Sequence, residues 1–194
     1  MQKRKITTLP AFRRFLKRHG IDFSKWGRGA TKTVERLFHE YLSGETTFVF
    51  KKKHLVRVVR RVQILMYHRT KKGIRYYLIE KRQVFRNGSV RVRSRTRSLS
   101  EKMTPTEDAL ITALRALKEE LGVVGIDPRR LVRLKAAKRR RPWQSDSYPN
   151  LPSEHYGPRF KLELPARWYK REGYEEVQPD KTTEFRWQKI RKRK

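Results

Sequence analysis

The chain has no cysteine among its 194 residues. That absence excludes disulfide staples, thiol catalysis and cysteine-ligated zinc, and leaves the redox compartment open. There is no run of 18 or more apolar residues, so no membrane-spanning helix is expected. The same shortage near the start excludes a secretory signal. Acids are scarce: 19 Asp and Glu stand against 51 Lys and Arg, a formal charge of +32. Such an excess repels itself in a compact protein and implies a polyanionic partner, nucleic acid ahead of an anionic membrane surface. Hydrophobic content is low, 36%, yet it clusters in periodic runs, enough for one core at this length.

The first 21 residues hold seven Lys or Arg and no acid before Asp22. With Leu9, Phe12, Phe15 and Leu16 interleaved, they read either as a basic arm or as an amphipathic targeting segment. One short helix is expected next, capped by Thr31, with Val34, Leu37, Phe38, Tyr41 and Leu42 at helical spacing. Gly44 closes it in the left-handed position. Lys51, Lys52 and Lys53 interrupt the pattern. Alternation from Leu55 to Tyr67 predicts a strand with Val56, Val58, Val62, Ile64 and Met66 on one face. Lys71-Lys72-Gly73 makes a turn into a second strand over 74–85, and Asn87-Gly88 is the strongest hairpin signal in the chain.

After that turn Arg91, Arg93, Arg95 and Arg97 alternate with small or β-branched residues. On a strand, successive guanidinium groups would stand roughly 6.6–6.8 Å apart on one face. The arrangement suits phosphate contact, and also suits a charged sheet edge that resists aggregation. A helix is expected next, with Thr104 as cap, Pro105 in the first turn and Glu107 completing a capping box. Leu110, Ala113, Leu114, Leu117 and Leu121 form its buried stripe, and Gly122 ends it. Residues 131–137 read as a strand, 144–158 as a Pro-, Ser- and Asn-rich loop, and 160–164 and 184–190 as two more strands.

The segment 101–123 carries the sharpest motif. Glu107 is followed, after seven residues, by Arg115-Ala-Leu-Lys-Glu-Glu-Leu-Gly-Val123. This resembles the Nudix box, Gly-x5-Glu-x7-Arg-Glu-U-x-Glu-Glu-x-Gly-U with U aliphatic. Glu107, Arg115, Leu117, Glu119, Glu120, Gly122 and Val123 fall in place. Glu101 stands where the box has glycine, and Ala116 where it has glutamate.

The resemblance implies an α/β fold, a Nudix-like α/β/α sandwich with a mixed β-sheet plus basic N- and C-terminal extensions. Residues 1–54 would be a basic extension with one short helix, 55–190 the Nudix-like domain and 191–194 a basic tail. In the family, carboxylates of this helix hold the magnesium that activates water against a diphosphate. Positions 116, 119 and 120 share a helical face and should converge on the ion, but Ala116 contributes no ligand. The expectation is therefore an inactive box: no catalytic residue, no cofactor and no metal, with Glu119 and Glu120 as magnesium ligands only if activity survives. His19, His39, His54, His68 and His155 show no metal-ligand spacing.

Function is then expected to lie in the cations. Candidate phosphate contacts are Lys51, Lys52, Lys53, Arg91, Arg93, Arg95, Arg97, Lys138, Arg139, Arg140, Arg141, Arg191, Lys192, Arg193 and Lys194. Trp143, next to the 138–141 run, is the first candidate for stacking on unpaired bases, with Trp26 and Tyr148 beside it. Trp187 and Tyr77 read as core. Charge spread along the whole chain suits a protein embedded in folded RNA, and the degenerate box is similar in kind to the Nudix-like protein of the mitochondrial ribosomal large subunit. The expected partners are ribosomal RNA and neighbouring ribosomal proteins, with no membrane span and no small-molecule substrate. The expected location is the mitochondrion, with plastid or cytoplasm as alternatives. Two other functions stay open: an active Mg-dependent Nudix hydrolase acting on nucleotides or RNA ends, and an RNA-processing accessory factor.

Overall fold

The computed structural model describes residues 6–92, 99–135 and 143–189. Among them run α1 (Leu9–Arg18), α2 (Val34–Leu42), β1 (Thr46–Lys51), β2 (His54–Arg69), β3 (Arg75–Phe85), β4 (Val90–Val92) and β5 (Leu99–Lys102). Then come α3 (Ala109–Leu121), β6 (Val132–Leu134), β7 (Trp143–Gln144), β8 (Pro152–Tyr156), β9 (Arg159–Glu163), β10 (Tyr174–Val177) and β11 (Lys181–Lys189). The chain divides into two compact units, residues 1–60 with 138–156, and residues 61–137 with 157–194.

The first unit corrects the expectation of an extension with one helix. Residues 9–18 are helical because Thr8 accepts the Ala11 N–H, Pro10 sits in the first turn, and Lys17 and Arg18 occupy the last turn, where the dipole favours cations. Phe12 and Leu16, four residues apart, are fully buried. The second helix is capped by Thr33, whose hydroxyl accepts the Arg36 N–H at 3.2 Å, two residues later than Thr31. Thr31 instead ties its own loop by donating to the Arg28 carbonyl at 2.7 Å. Gly44 takes the left-handed position (φ +79°), as its place after the helix demands.

Phe12 meets Phe38 and Tyr41 across the two helices, at ring-centroid distances of 5.3 and 5.5 Å. Below them β1 pairs antiparallel with the start of β2, β2 parallel with β8, and β8 antiparallel with β7. Leu37, Leu55, Tyr148 and Leu151 complete this core. The segment 144–158 is thus no simple loop. Pro152 opens β8, where a missing N–H is tolerated, and Ser153 and Glu154 are buried. Residues 55–59 of β2 are buried on both faces, so the expected alternation fails there.

Arg57, on that buried stretch, donates to Glu40 of α2 at 2.6 Å, and Lys32 donates to the same carboxylate at 3.1 Å. Two residues, Lys52 and Lys53, connect β1 to β2, with φ +47° and +67°. A hairpin with both central residues left-handed favours Asn-Gly, and each lysine there costs about 1–2 kcal/mol.

The second unit holds a mixed sheet in the order β10-β11-β3-β2-β9-β6, with β4 on β3 and β5 on β2. Every pairing in it is antiparallel except β2 with β9. The α/β class with a mixed sheet, expected from the order of elements, is what the chain builds. Here the alternation holds: Val62, Ile64 and Met66 face a core of Leu78, Leu99, Leu117, Phe160 and Phe185. The Asn87-Gly88 turn closes β3 onto β4, Phe85 donating its N–H to Ser89. Gly157, ahead of β9, has φ +140°, and a Cβ there would lie 2.1 Å from the Arg61 carbonyl oxygen, so no other residue fits.

Candidate functional site

The box helix α3 starts four residues later than the sequence suggests. Asp108 is its cap, accepting the N–H groups of Leu110 and Ile111 at 2.7 and 3.3 Å. Thr104 to Glu107 form a separate turn in which Glu107 reaches back to the Thr104 N–H at 3.4 Å. The capping-box chemistry is present, but a free Asp side chain beside the first apolar turn is the stronger helix start. Gly122 ends the helix with φ +66°, as expected.

Arg115 organises the acids of this region. Its Nε and Nη2 donate to the two oxygens of Glu107 at 3.0 and 3.1 Å. Its Nη1 donates to Glu101 on β5 and to Glu119, both at 3.2 Å, and Nη2 also reaches the Lys102 carbonyl. The guanidinium holds the Glu107 carboxyl below the usual range. Burial pushes Glu101 up, with Arg115 opposing the shift. Arg115 itself is raised by the hydrogen bond to Glu107 and the charge of Glu101.

Of positions 116, 119 and 120, the first and last turn inward and Glu119 turns away, so the three do not converge as the helical-face expectation had it. Ala116 is buried with Ala113 and Leu117 in the second unit's core. Glu119 turns outward to Arg115, with 54% of its side chain exposed. Glu120 points inward, and its Oε1 is shielded from water with no hydrogen-bond partner among the described residues. Burial, then the charges of Glu176, Glu101 and Glu80, push its carboxyl well above the usual range, and Lys181 opposes them. The approach of Glu80 from β3 and Glu176 from β10 has no signal in the sequence, because only strand pairing brings them near α3.

A divalent ion needs several oxygen ligands turned toward one point. Here one family position lies in the apolar core, a second is engaged by an arginine, and the third lies among the charges of Glu176, Glu101 and Glu80. Among the described residues no group of three or more His, Asp or Glu is arranged to hold a metal. The box positions 116, 119 and 120 do not by themselves turn several oxygen ligands toward one point.

The candidate RNA contacts are distributed unevenly. Lys51 pairs with Glu154, whereas Lys52 and Lys53 are exposed at the hairpin tip. Arg91 is half-buried, donating to Gln83 at 3.4 Å with its guanidinium 5.2 Å from the Phe85 ring centroid. Arg93, Arg95, Arg97, Lys138, Arg139, Arg140, Arg141, Arg191, Lys192, Arg193 and Lys194 lie outside the described residues, as does the side chain of Trp143.

Two aromatic candidates are corrected. Trp26 is buried and donates its Nε1–H to the Pro149 carbonyl at 2.9 Å. Tyr148 is fully buried, with Arg57 4.9 Å from its ring centroid, and burial pushes its phenol up. Both belong to the first core, in one cluster with Phe12, Leu37, Phe38 and Leu55. Trp187 packs against the second core, as expected. Unanticipated was an aromatic row in the first unit: Phe48–Phe15 at 5.7 Å, Phe15–His19 at 4.8 Å and His19–Phe50 at 4.7 Å. The spacing of Phe15 and His19, four apart, was the available signal.

No protein-family profile and no curated protein matches the sequence. Solved structures do overlap with it. One is the crystal structure of a MutT/nudix family protein from Enterococcus faecalis, at 16% identity and TM-score 0.39, covering 80% of this chain and 50% of that one. Another is the NUDIX domain of Shewanella oneidensis NrtR complexed with ADP ribose, at 13% identity and TM-score 0.37, covering 77% and 80%. A third is the T. brucei MERS1–RNA complex, at 12% identity and TM-score 0.34, covering 68% and 40%. The chain therefore spans half the length of the first protein and less than half of the third.

Proposed function

We propose that this chain is a non-hydrolysing, RNA-binding protein with a Nudix-like box, a structural constituent of an organellar ribosome, in the first instance the mitochondrial large subunit. Its charge supports this reading most directly. If each of the 19 acids neutralised one of the 51 cations, 32 cationic side chains would still face no carboxylate of the chain. Many acids are in fact held internally, among them Glu35, Glu40, Glu154, Glu163 and Glu184. A phosphate backbone is the polyanion that offsets such an excess over many contacts. The absence of hydrolysis is supported by Arg115, which engages Glu101, Glu107 and Glu119, and by the burial of Ala116.

The test is co-sedimentation of the native protein with ribosomal large subunits in high salt, together with equilibrium binding to structured RNA at several salt concentrations. Stoichiometric retention and a steep log–log salt slope are expected. Loss from subunits with retained RNA binding would favour a free RNA-processing factor. One observation favours the hydrolase reading: the crowding of Glu80, Glu101 and Glu176 about Glu120 leaves negative charge beside the box helix. Phosphate release from nucleoside diphosphate substrates with Mg²⁺ or Mn²⁺, abolished by Glu120→Gln, would establish it in place of the first.

A further inference from the structure

The sheet of the second unit has two faces. The only α-helix of that unit among the described residues, α3, shares a core with the face formed by Val62, Ile64 and Met66. Alternation turns Leu65, Tyr67 and Arg69 of β2 to the other face. Strand register sets Arg159 and Lys161 of β9 on one side of them, and Arg75 and Tyr77 of β3 on the other. The Lys161 Nζ lies 4.8 Å and the Arg75 guanidinium 5.4 Å from the centroid of the Tyr67 ring. The Tyr67 hydroxyl donates to Glu163 at 2.6 Å, and Arg69 donates to both oxygens of the same carboxylate. Glu163 is the one acid that β9, β2 and β3 place here, beside four cations, and it is already engaged. Toward β10 the same face is balanced, Arg186 pairing with Glu175 and Glu184. Arg69 and Arg75 are exposed, and Arg159 and Lys161 are half-buried.

We infer that this face of β9, β2 and β3 is an RNA contact surface, on which Arg159, Lys161 and Arg75 meet phosphates and Tyr67 is the positioning residue for two of them. The inference rests on the RNA-binding reading and adds to it the place where the RNA lies. A cation held against a ring keeps its charge for a phosphate and has already lost part of the side-chain freedom that binding would otherwise remove. Along β9 the two cations stand about 6.6 Å apart, a spacing that neighbouring phosphates of one strand can follow. An acidic protein is the less suited partner, because protein interfaces centre on an apolar patch. Val132 and Val177 are 58% and 80% exposed on this face, but they sit singly on β6 and β10 at its opposite edges.

The experiment uses the full chain, a hairpin RNA with a single-stranded tail, and polyglutamate as an acidic polypeptide. Arg75→Gln/Arg159→Gln/Lys161→Gln should weaken RNA binding about tenfold and lower the salt slope by about 2–3. The thermal midpoint should fall by no more than about 4 °C. Glu163→Gln removes the acid and releases Arg69, so RNA affinity should rise about threefold while the midpoint falls. A purely structural role would move the two in the same direction. Tyr67→Leu should weaken RNA binding about threefold, and Tyr67→Phe, which keeps the ring, should retain it. Unchanged affinity and slope in the triple variant would overturn the inference while leaving RNA binding elsewhere on the chain intact. So would weaker RNA binding by Glu163→Gln, or a triple variant that loses polyglutamate binding alone. Equal losses from Tyr67→Leu and Tyr67→Phe would remove the ring from it. Wild-type protein that does not bind the RNA would instead sink the RNA-binding reading itself.

Discussion

The guanidinium of Arg115 meets the carboxylate of Glu107 fork to fork, two parallel hydrogen bonds at 3.0 and 3.1 Å across eight residues of chain. The pair fastens the turn before α3 to the helix itself. Two further carboxylates, Glu101 and Glu119, share the same cation. In this chain the arginine of the box is a structural clamp.

Removing the clamp should be costly because it frees three carboxylates at once. Arg115→Ala is expected to destabilise the protein by about 2–3 kcal/mol, and Arg115→Lys, which keeps the charge but loses the fork, by at least half as much. Urea unfolding measures both. The pH sign follows from Glu107, whose folded carboxyl titrates lower than in the unfolded chain. Its contribution is present above the ordinary carboxylate value and is lost as pH falls through the folded value. Glu107→Gln should remove that acid-side loss, and superimposable acid limbs of the two stability curves would contradict the assignment.

Glu120 should behave in the opposite sense. Its carboxyl is raised, so the folded state binds the proton more tightly, and stability falls as pH climbs from about 4.5 toward the folded value. Glu120→Gln should therefore raise the melting temperature at pH 7 and leave it nearly unchanged at pH 4. A substitution that lowers the midpoint at neutral pH would show that the carboxylate is stabilised by a contact of its own.

Restoring the missing box glutamate should not restore a site. Ala116 is 1% exposed and packs with Ala113 and Leu117, so Ala116→Glu places a carboxyl in the apolar core. A loss of about 2–4 kcal/mol is expected, with no Mg²⁺-dependent phosphate release. A well-folded, active variant would place position 116 on the metal face and put the hydrolase reading ahead of the structural one.

The buried pair of the first unit gives the largest expected loss. Glu40 and Arg57 are 3% and 4% exposed, and Glu40 also holds Lys32. Glu40→Ala should cost about 3–5 kcal/mol because Arg57 is left buried without a counter-charge. Glu40→Leu/Arg57→Met should cost clearly less than the sum of the two single changes. Additive losses in a double-mutant cycle would show that the two side chains act independently.

Sequence alone determined what depends on neighbours along the chain. The period of Val62, Ile64 and Met66, the left-handed glycines after α2 and α3, the Asn87-Gly88 hairpin and the box spacing are local, set by backbone sterics and residues three or four apart. So was the excess of cations, which needs no structure. Tertiary packing decided the rest. Whether Phe12 and Leu16 were a loose arm or a helix depended on the existence of an apolar face on α2 and on Tyr148 and Leu151, more than a hundred residues away in sequence. The same packing took Trp26 and Tyr148 out of solvent and placed Phe50 at its edge. It also turned Ala116 and Glu120 inward while leaving Glu119 with Arg115, a division no helical wheel reveals because the wheel does not say which face the sheet will cover.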